Sequence, residues 1–158
     1  MEFDSLEQVD INRNKTAEKV RDFLNKDFIH YLDKAGLHKA DLSSPQLDPT
    51  GVSSHGGNSA EYKMVQIIDY ENKCKAIITA IKNCRENVGR GVRNRTILQD
   101  VYLKELENWQ VQERLGLSEA AYYAKKQAAL CEFADRIEVW AVRFGTHIPD
   151  LHIYQKEQ

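Results

Sequence analysis

Apolar side chains recur at three- and four-residue steps over much of this chain, so its pattern is one of helices. From about residue 14 to 35, Val20, Phe23, Leu24, Phe28, Tyr31, Leu32 and Ala35 fall on one face of a helix. Gly36 follows directly, where a helix C-terminus favours it. A helix with so broad an apolar face needs a surface to bury it against. Residues 1–13 are polar and carry no such stripe. Residues 41–57 carry Ser43-Ser44-Pro45, Asp48-Pro49, Gly51 and Gly56-Gly57, punctuation that predicts a flexible hinge or extended connector. The glycine pair is not a phosphate loop, because no lysine follows at the required spacing.

Asn58-Ser59-Ala60-Glu61 has the form of a capping box and opens a second helix to about residue 84. Val65, Ile68, Ala76, Ile77, Ala80, Ile81 and Cys84 form its stripe. The register is imperfect around Asn72, which predicts a kink or two shorter helices. Residues 85–94, with Gly89, Gly91 and several arginines, read as a basic loop. A helix follows over 95–106 with Ile97, Leu98, Val101, Tyr102 and Leu106, then a short one over 109–115. Gly116-Leu117 breaks the chain. Ser118 caps a longer helix to about Trp140, with Tyr122, Ala129, Leu130, Phe133, Ile137 and Trp140 inward. Past residue 144, Pro149 and the apolar run 151–154 allow either a strand or an arm. The expected fold is all-α: an N-terminal helical arm at 14–40, a flexible linker at 41–58, a helical unit at 59–143, and a tail at 144–158.

Composition narrows the function classes. With 158 residues, 42% hydrophobic and 29% charged, the chain can bury a core under a well-solvated surface. No apolar run approaches the roughly 18 residues of a membrane span, and the acidic N-terminus has no apolar signal core. A cytoplasmic protein of a bacterial host cell, away from membranes, is expected. Cys74, Cys84 and Cys131 form an odd set without close pairing, which favours buried thiols over disulfides or zinc. His30, His38, His55, His147 and His152 are scattered and lack cysteine or carboxylate partners at metal-ligand spacing. Asp69/Glu71 and Glu105/Glu107 lie two apart and point to different helix faces. Gly-x-Ser-x-Gly is absent. The expectation is therefore no enzyme, no metal and no cofactor. A net charge of −2 argues against a uniformly basic nucleic-acid binder, although one face can be basic while the far side is acidic.

The stretch 109–130 has the grammar of a helix-turn-helix: a short helix, a glycine turn, a polar cap, a second helix. Val111 and Leu115 are placed to pack on Leu117 and Tyr122, and Gly116 permits the left-handed turn. The run from Ile97 to Phe133 resembles the last DNA-binding region of bacterial sigma factors, through Val101-Tyr102-Leu103, Leu115-Gly116-Leu117-Ser118 and Ala129-Leu130. Further segments widen the likeness: 20–28 with Ala35-Gly36-Leu37, the linker from Leu42 to Asp48, Gly57-Asn58-Ser59, the run from Ala76 to Ile81, and Tyr122-Tyr123. In this order they are similar to the ArpU family of Gram-positive phage and prophage regulators, over about residues 15 to 136.

That resemblance implies a transcription regulator of phage late or lysis genes, binding double-stranded promoter DNA. Carried over, it places Ser118, Glu119, Ala120, Tyr123, Ala124 and Gln127 towards DNA, with Lys125 and Lys126 near phosphates. Arg93 and Arg95, with Arg90, are candidates for positioning contacts to phosphate. This chain departs from the family where basic residues are common, carrying acidic Glu119 and small Ala124. Glutamate can still accept from cytosine. Lys125 stands where a helix-turn-helix wants an apolar residue, so its stem is expected to snorkel. A rival reading is a helical adaptor that contacts RNA polymerase or another phage protein without reading DNA. A second rival is a structural protein that forms a homodimer through the first helix. A continuous positive face around Arg93, Lys125 and Lys126 would favour DNA, and a mixed face the adaptor.

Overall fold

Helical periodicity over the N-terminal stripe translates into two helices joined without a break. The computed structural model describes residues 10–43 and 58–155. Helix α1 (Arg13–Asp22) begins at Asn12, whose side chain accepts from the Lys15 backbone N–H. It passes through a wider π turn, Phe23–Asp27, into α2 (Phe28–Ala35). The turn has a sequence cause. Thr16, Val20, Leu24, Phe28 and Leu32 are all buried and lie four apart. In a regular helix such a row drifts by roughly 40° per step. The extra residue in the π turn offsets that drift and keeps Phe28 and Leu32 over the core. Gly36 ends α2 at φ 69°, in the left-handed region the sequence reserves for it.

The sequence expectation of an all-α chain holds. Helix α3 runs over Asn58–Lys82 without interruption, so of the two expectations around Asn72 the division into two shorter helices does not hold. Its start sits at the edge of the described residues, and the expected cap and the linker over 44–57 lie outside them. The nearer part of the expected linker is structured: Lys39–Ser43 form a 3-10 turn whose Leu42 is buried. Val65 was expected inward but is exposed, as is Tyr62. Burial on α3 begins in earnest at Cys74 and continues through Ile77, Ile78, Ala80 and Ile81.

The basic segment after α3 is a hairpin rather than a loop. Strands β1 (Glu86–Asn87) and β2 (Val92–Arg93) pair antiparallel around a 3-10 turn at Val88–Arg90. Helix α4 (Asn94–Leu98) then runs into a second π turn, Gln99–Leu103. The helix expected to reach 106 stops there, and Glu105 takes φ 58°, the positive-φ residue among the described non-glycines. Helix α5 (Asn108–Leu115), Gly116 and helix α6 (Glu119–Arg143) complete the order. Helices α1, α3 and α4 all pack on α6, and α2 packs on α3. One core joins Val20, Phe23, Leu24 and Phe28 to Ile77, Ile81, Phe133 and Ile137. The face that the N-terminal stripe leaves open in the sequence is thus closed against the later helices.

The tail folds back. Leu151 is buried, and Tyr154 forms a bridge with Ile11. Asn12 N–H donates to the Ile153 carbonyl at 2.7 Å, and Gln155 N–H to that of Asp10 at 3.0 Å. His152 fastens this tail to α6. Its Nδ1 lies 2.6 Å from Asp150 and its Nε2 2.6 Å from Asp135. Carboxylates only accept, so both ring nitrogens are satisfied together by the imidazolium. Burial alone would lower the His152 pKa, but the bonds to Asp135 and Asp150 outweigh it and raise the value. Burial also opposes ionisation of Asp150, yet bonds from the His152 backbone, the His152 ring and Tyr154 hold its carboxyl at about 2.

The pH window follows. Since His152 is raised, its contribution is complete below the ordinary value of about 6.5 and is lost as pH rises through the folded value. The Asp150 contribution is present above the ordinary carboxylate range and lost as pH falls towards 2. His152→Gln is therefore expected to lower the thermal midpoint by a few degrees near pH 5.5, and by less at a pH above the raised His152 value. Melts followed by circular dichroism at both pH values check this. An equal deficit at both would remove the imidazolium clasp.

Candidate nucleic-acid interface

The short helix α5 is launched by Glu107, whose backbone N–H donates to Gln110 Oε1 at 2.8 Å. It ends at Gly116, φ 65° and ψ 33°, where the Gly116 and Leu117 N–H groups close on Glu113 and Gln112 carbonyls. A side chain at φ 65° would be strained, so this turn depends on glycine. Ser118 then caps α6, its Oγ accepting from Ala121 N–H at 3.2 Å. Ile97, Val111 and Tyr122 are fully buried together, with Val101, Leu106, Leu115 and Leu117 around them. Over the stretch 109–130, α5, the Gly116 turn and the start of α6 follow one another, with a small core between α4, α5 and α6.

On the outer face, Ser118, Glu119, Ala120, Tyr123 and Ala124 are exposed. Tyr123 stands edge-on to Tyr122, with ring centroids 5.1 Å apart. Gln127, also expected there, is half-buried and donates to Asn14 of α1, so it links the first helix to this face. The first helix therefore borders the expected interface, a contact between residues 113 positions apart.

The basic residues fall differently from their expected places. Lys126 is not near the surface: it is 6% exposed, donates from Nζ to Asn108 Oδ1 at 2.8 Å, and lies 5.6 Å from the Tyr102 ring centre. Its ammonium lines the cleft bordered by α1 rather than the outer row of α6. The reason is one residue of register. Tyr122, Lys126, Ala129, Leu130 and Phe133 share the buried stripe of α6, so Lys126, and not Lys125, occupies the packing position. Lys125 is half-buried beside the hairpin, with Nζ 2.5 Å from the Gly91 carbonyl. Arg93 is paired with Glu86 at 2.9 Å. Burial opposes ionisation of Glu86, but hydrogen bonds from Thr96 and Arg93 hold its pKa low. Arg95 and Arg90 are exposed. Arg93, Lys125 and Lys126 thus do not make the continuous positive face that would favour DNA; exposed cations near the motif come instead from Arg90, Arg95 and, on α1, Arg21.

Glu132 fixes the hairpin against α6. Its carboxylate accepts from Arg85 N–H at 2.9 Å, from the Asn94 amide at 2.8 Å and from Arg136 at 3.0 Å. It is 9% exposed, and a buried polar group is costly unless it is hydrogen-bonded. Asn108 is the second polar hub, accepting from Tyr122 OH at 2.7 Å as well as from Lys126. The expectation that no histidine meets carboxylates is corrected by His152. Glu138, Asp150 and His152 present ligand atoms within 4.8 Å of one another. Their mutual pairing explains that closeness. The three cysteines are buried free thiols, and burial pushes Cys74 and Cys84 up to about 12.

A family model described as a protein of unknown function, DUF1492, matches residues 54–134, which include α3, the hairpin, α4, α5 and the first part of α6. The chain belongs to that family. No curated protein and no solved structure matches it.

Burial pushes the Lys126 pKa down to about 8, and Arg21 adds to the shift. Between about 8 and the ordinary 10.5 the unfolded chain holds a proton that the folded one does not. This site therefore costs stability below about pH 8, and the cost fades as pH rises to 10.5. Lys126→Met, which keeps the stem, is expected to raise the melting midpoint by a few degrees at pH 7. The gain should shrink by about pH 10. A lower midpoint for the variant at pH 7 would instead make the Lys126–Asn108 bond a net stabiliser.

Proposed function

We propose that this DUF1492-family chain is a sequence-specific DNA-binding transcription regulator that places the start of α6 in the major groove. The observation that carries the reading is the exposed row Ser118, Glu119, Ala120, Tyr123 and Ala124 at the start of a capped helix. That row lies behind a glycine turn and is held by its own core of Ile97, Val111 and Tyr122. In a helix-turn-helix these positions meet base edges. Exposed Arg90 and Arg95, before and in α4, and Arg21 on α1 would contact phosphates and set orientation. The resemblance to ArpU regulators points to promoters of phage late or lysis genes, with activation through RNA polymerase.

A second reading is the adaptor that binds a protein partner through the same face. Trp109 is 62% exposed at the start of α5, next to a face that carries Glu119 and lacks Lys126. Exposed aromatics with mixed charge suit protein contacts.

The two readings part in one experiment. Purified protein is mixed with fragments of its source genome at two salt concentrations. Retention of one upstream region, weakening with salt, is expected. Tyr123→Ala should lower affinity for that region by about tenfold or more, and Glu119→Lys should raise affinity for unrelated duplex. Both side chains are exposed, so folding should be kept. Failure to retain any fragment at low salt, with both variants folded, would replace DNA by a protein partner.

A further inference from the structure

A cleft of about 460 Å³ opens between α1 and the start of α6. That volume lies in the range of small-ligand sites. Two cations line it, Arg21 from α1 and Lys126 from α6, together with Asn108, Tyr123 and the Asn14–Gln127 amide pair. Among the described residues neither cation has an ion-pair partner. Glu18 also lines the cleft, but no ion pair joins it to either cation. All of these side chains come from two helices and the first residue of α5, so a rigid frame holds them.

The odd member is Lys126. A buried ammonium normally sits against a carboxylate. Here its one acceptor is Asn108 Oδ1, which Tyr122 OH also uses. An ammonium carries three N–H bonds, and among the described residues one hydrogen-bond acceptor meets it. The Tyr102 ring centre lies 5.6 Å from the ammonium, and the hydroxyl of that ring is buried without a hydrogen-bond partner among the described residues. Among the described residues, two like charges line one cleft and neither is ion-paired, with Glu18 or otherwise, which describes the protein half of an anion site. Arginine supplies the planar fork and lysine the point charge that together suit phosphate. Tyr123, 46% exposed beside them, offers a ring on which a base can stack.

We infer that the cleft between α1 and α6 is a phosphate-binding site for a nucleotide, with Arg21 and Lys126 holding the phosphate. The nucleotide is either a free one or one carried in duplex DNA; the phosphate chemistry is the same. A free nucleotide would make α1 a sensor that borders the recognition face. A nucleotide of the duplex would make α1 a second clamp on DNA. The first source stands independently of the DNA-binding reading, and the second rests on it.

The test uses the full chain and calorimetry with three probes: inorganic phosphate, adenosine monophosphate, and a short duplex of arbitrary sequence at low salt. Arg21→Gln alters an exposed residue and leaves the core intact; Lys126→Met is the companion. Binding of adenosine monophosphate, weakened about tenfold or more by Arg21→Gln, supports the site with a free nucleotide as its source. Duplex binding that phosphate competes away, and that Arg21→Gln weakens to the same degree, supports it with DNA as the source. Nucleotide binding without any duplex binding keeps the site while removing the DNA reading. Absence of all binding at millimolar probe, or binding that Arg21→Gln leaves unchanged, overturns the proposal.

Discussion

Helix α6 buries Tyr122, Lys126, Ala129, Leu130, Phe133, Ile137 and Ala141 along one face, and α1, α3 and α4 pack on it. At 1.5 Å per residue its 25 residues span roughly 37 Å. The first two turns stand clear of the main core and present an outer row; the remainder is the axis of the bundle. The outer row is therefore rigidly tied to the core, since tilting it would move Phe133 and Ile137 as well. Rigid elements hold a binding constellation better than loops do. The same coupling explains why the N-terminal helix, remote in sequence, touches the outer row through Asn14 and Gln127.

Polar groups inside this frame are few, and most are answered. Glu132 binds the hairpin, Asn108 joins α5 to Tyr122 and Lys126, and His152 closes the tail on Asp135 and Asp150. Each has partners drawn from separate segments. Removing one would leave a buried donor or acceptor unpaired, at about 1–3 kcal/mol. Among the described residues the exception is the Tyr102 hydroxyl, on a ring that lies 5.6 Å from the Lys126 ammonium.

Much of the architecture was legible because helical periodicity is local. The stripe from Val20 to Ala35, the glycine stops at Gly36 and Gly116, and the cap at Ser118 all depend on neighbours within a few residues. The pattern failed where tertiary contact decides. A two-residue strand pair is too short to alternate, so the hairpin at Glu86–Arg93 read as a loop. The π turn at Gln99–Leu103 shifted the end of the helix expected to reach 106. Lys126 was misplaced because a lysine on an apolar stripe looks like an error of register, and Lys125 beside it looked the better candidate for either role. His152 met its carboxylates only through the folded tail; Asp135 and Glu138 were three apart on α6, but nothing local brought the histidine to them. The outer row itself was readable from the motif, whereas its neighbours on α1 were not.

The claim at the centre is that the exposed start of α6 meets DNA. Amide hydrogen exchange of the full chain, with and without a retained genomic fragment, examines that surface directly. Slowed exchange is expected in the first turns of α6 and in α5, with α3 and the tail unchanged. Protection confined to α3 or the tail, with the first turns of α6 exchanging as in the free protein, would contradict it.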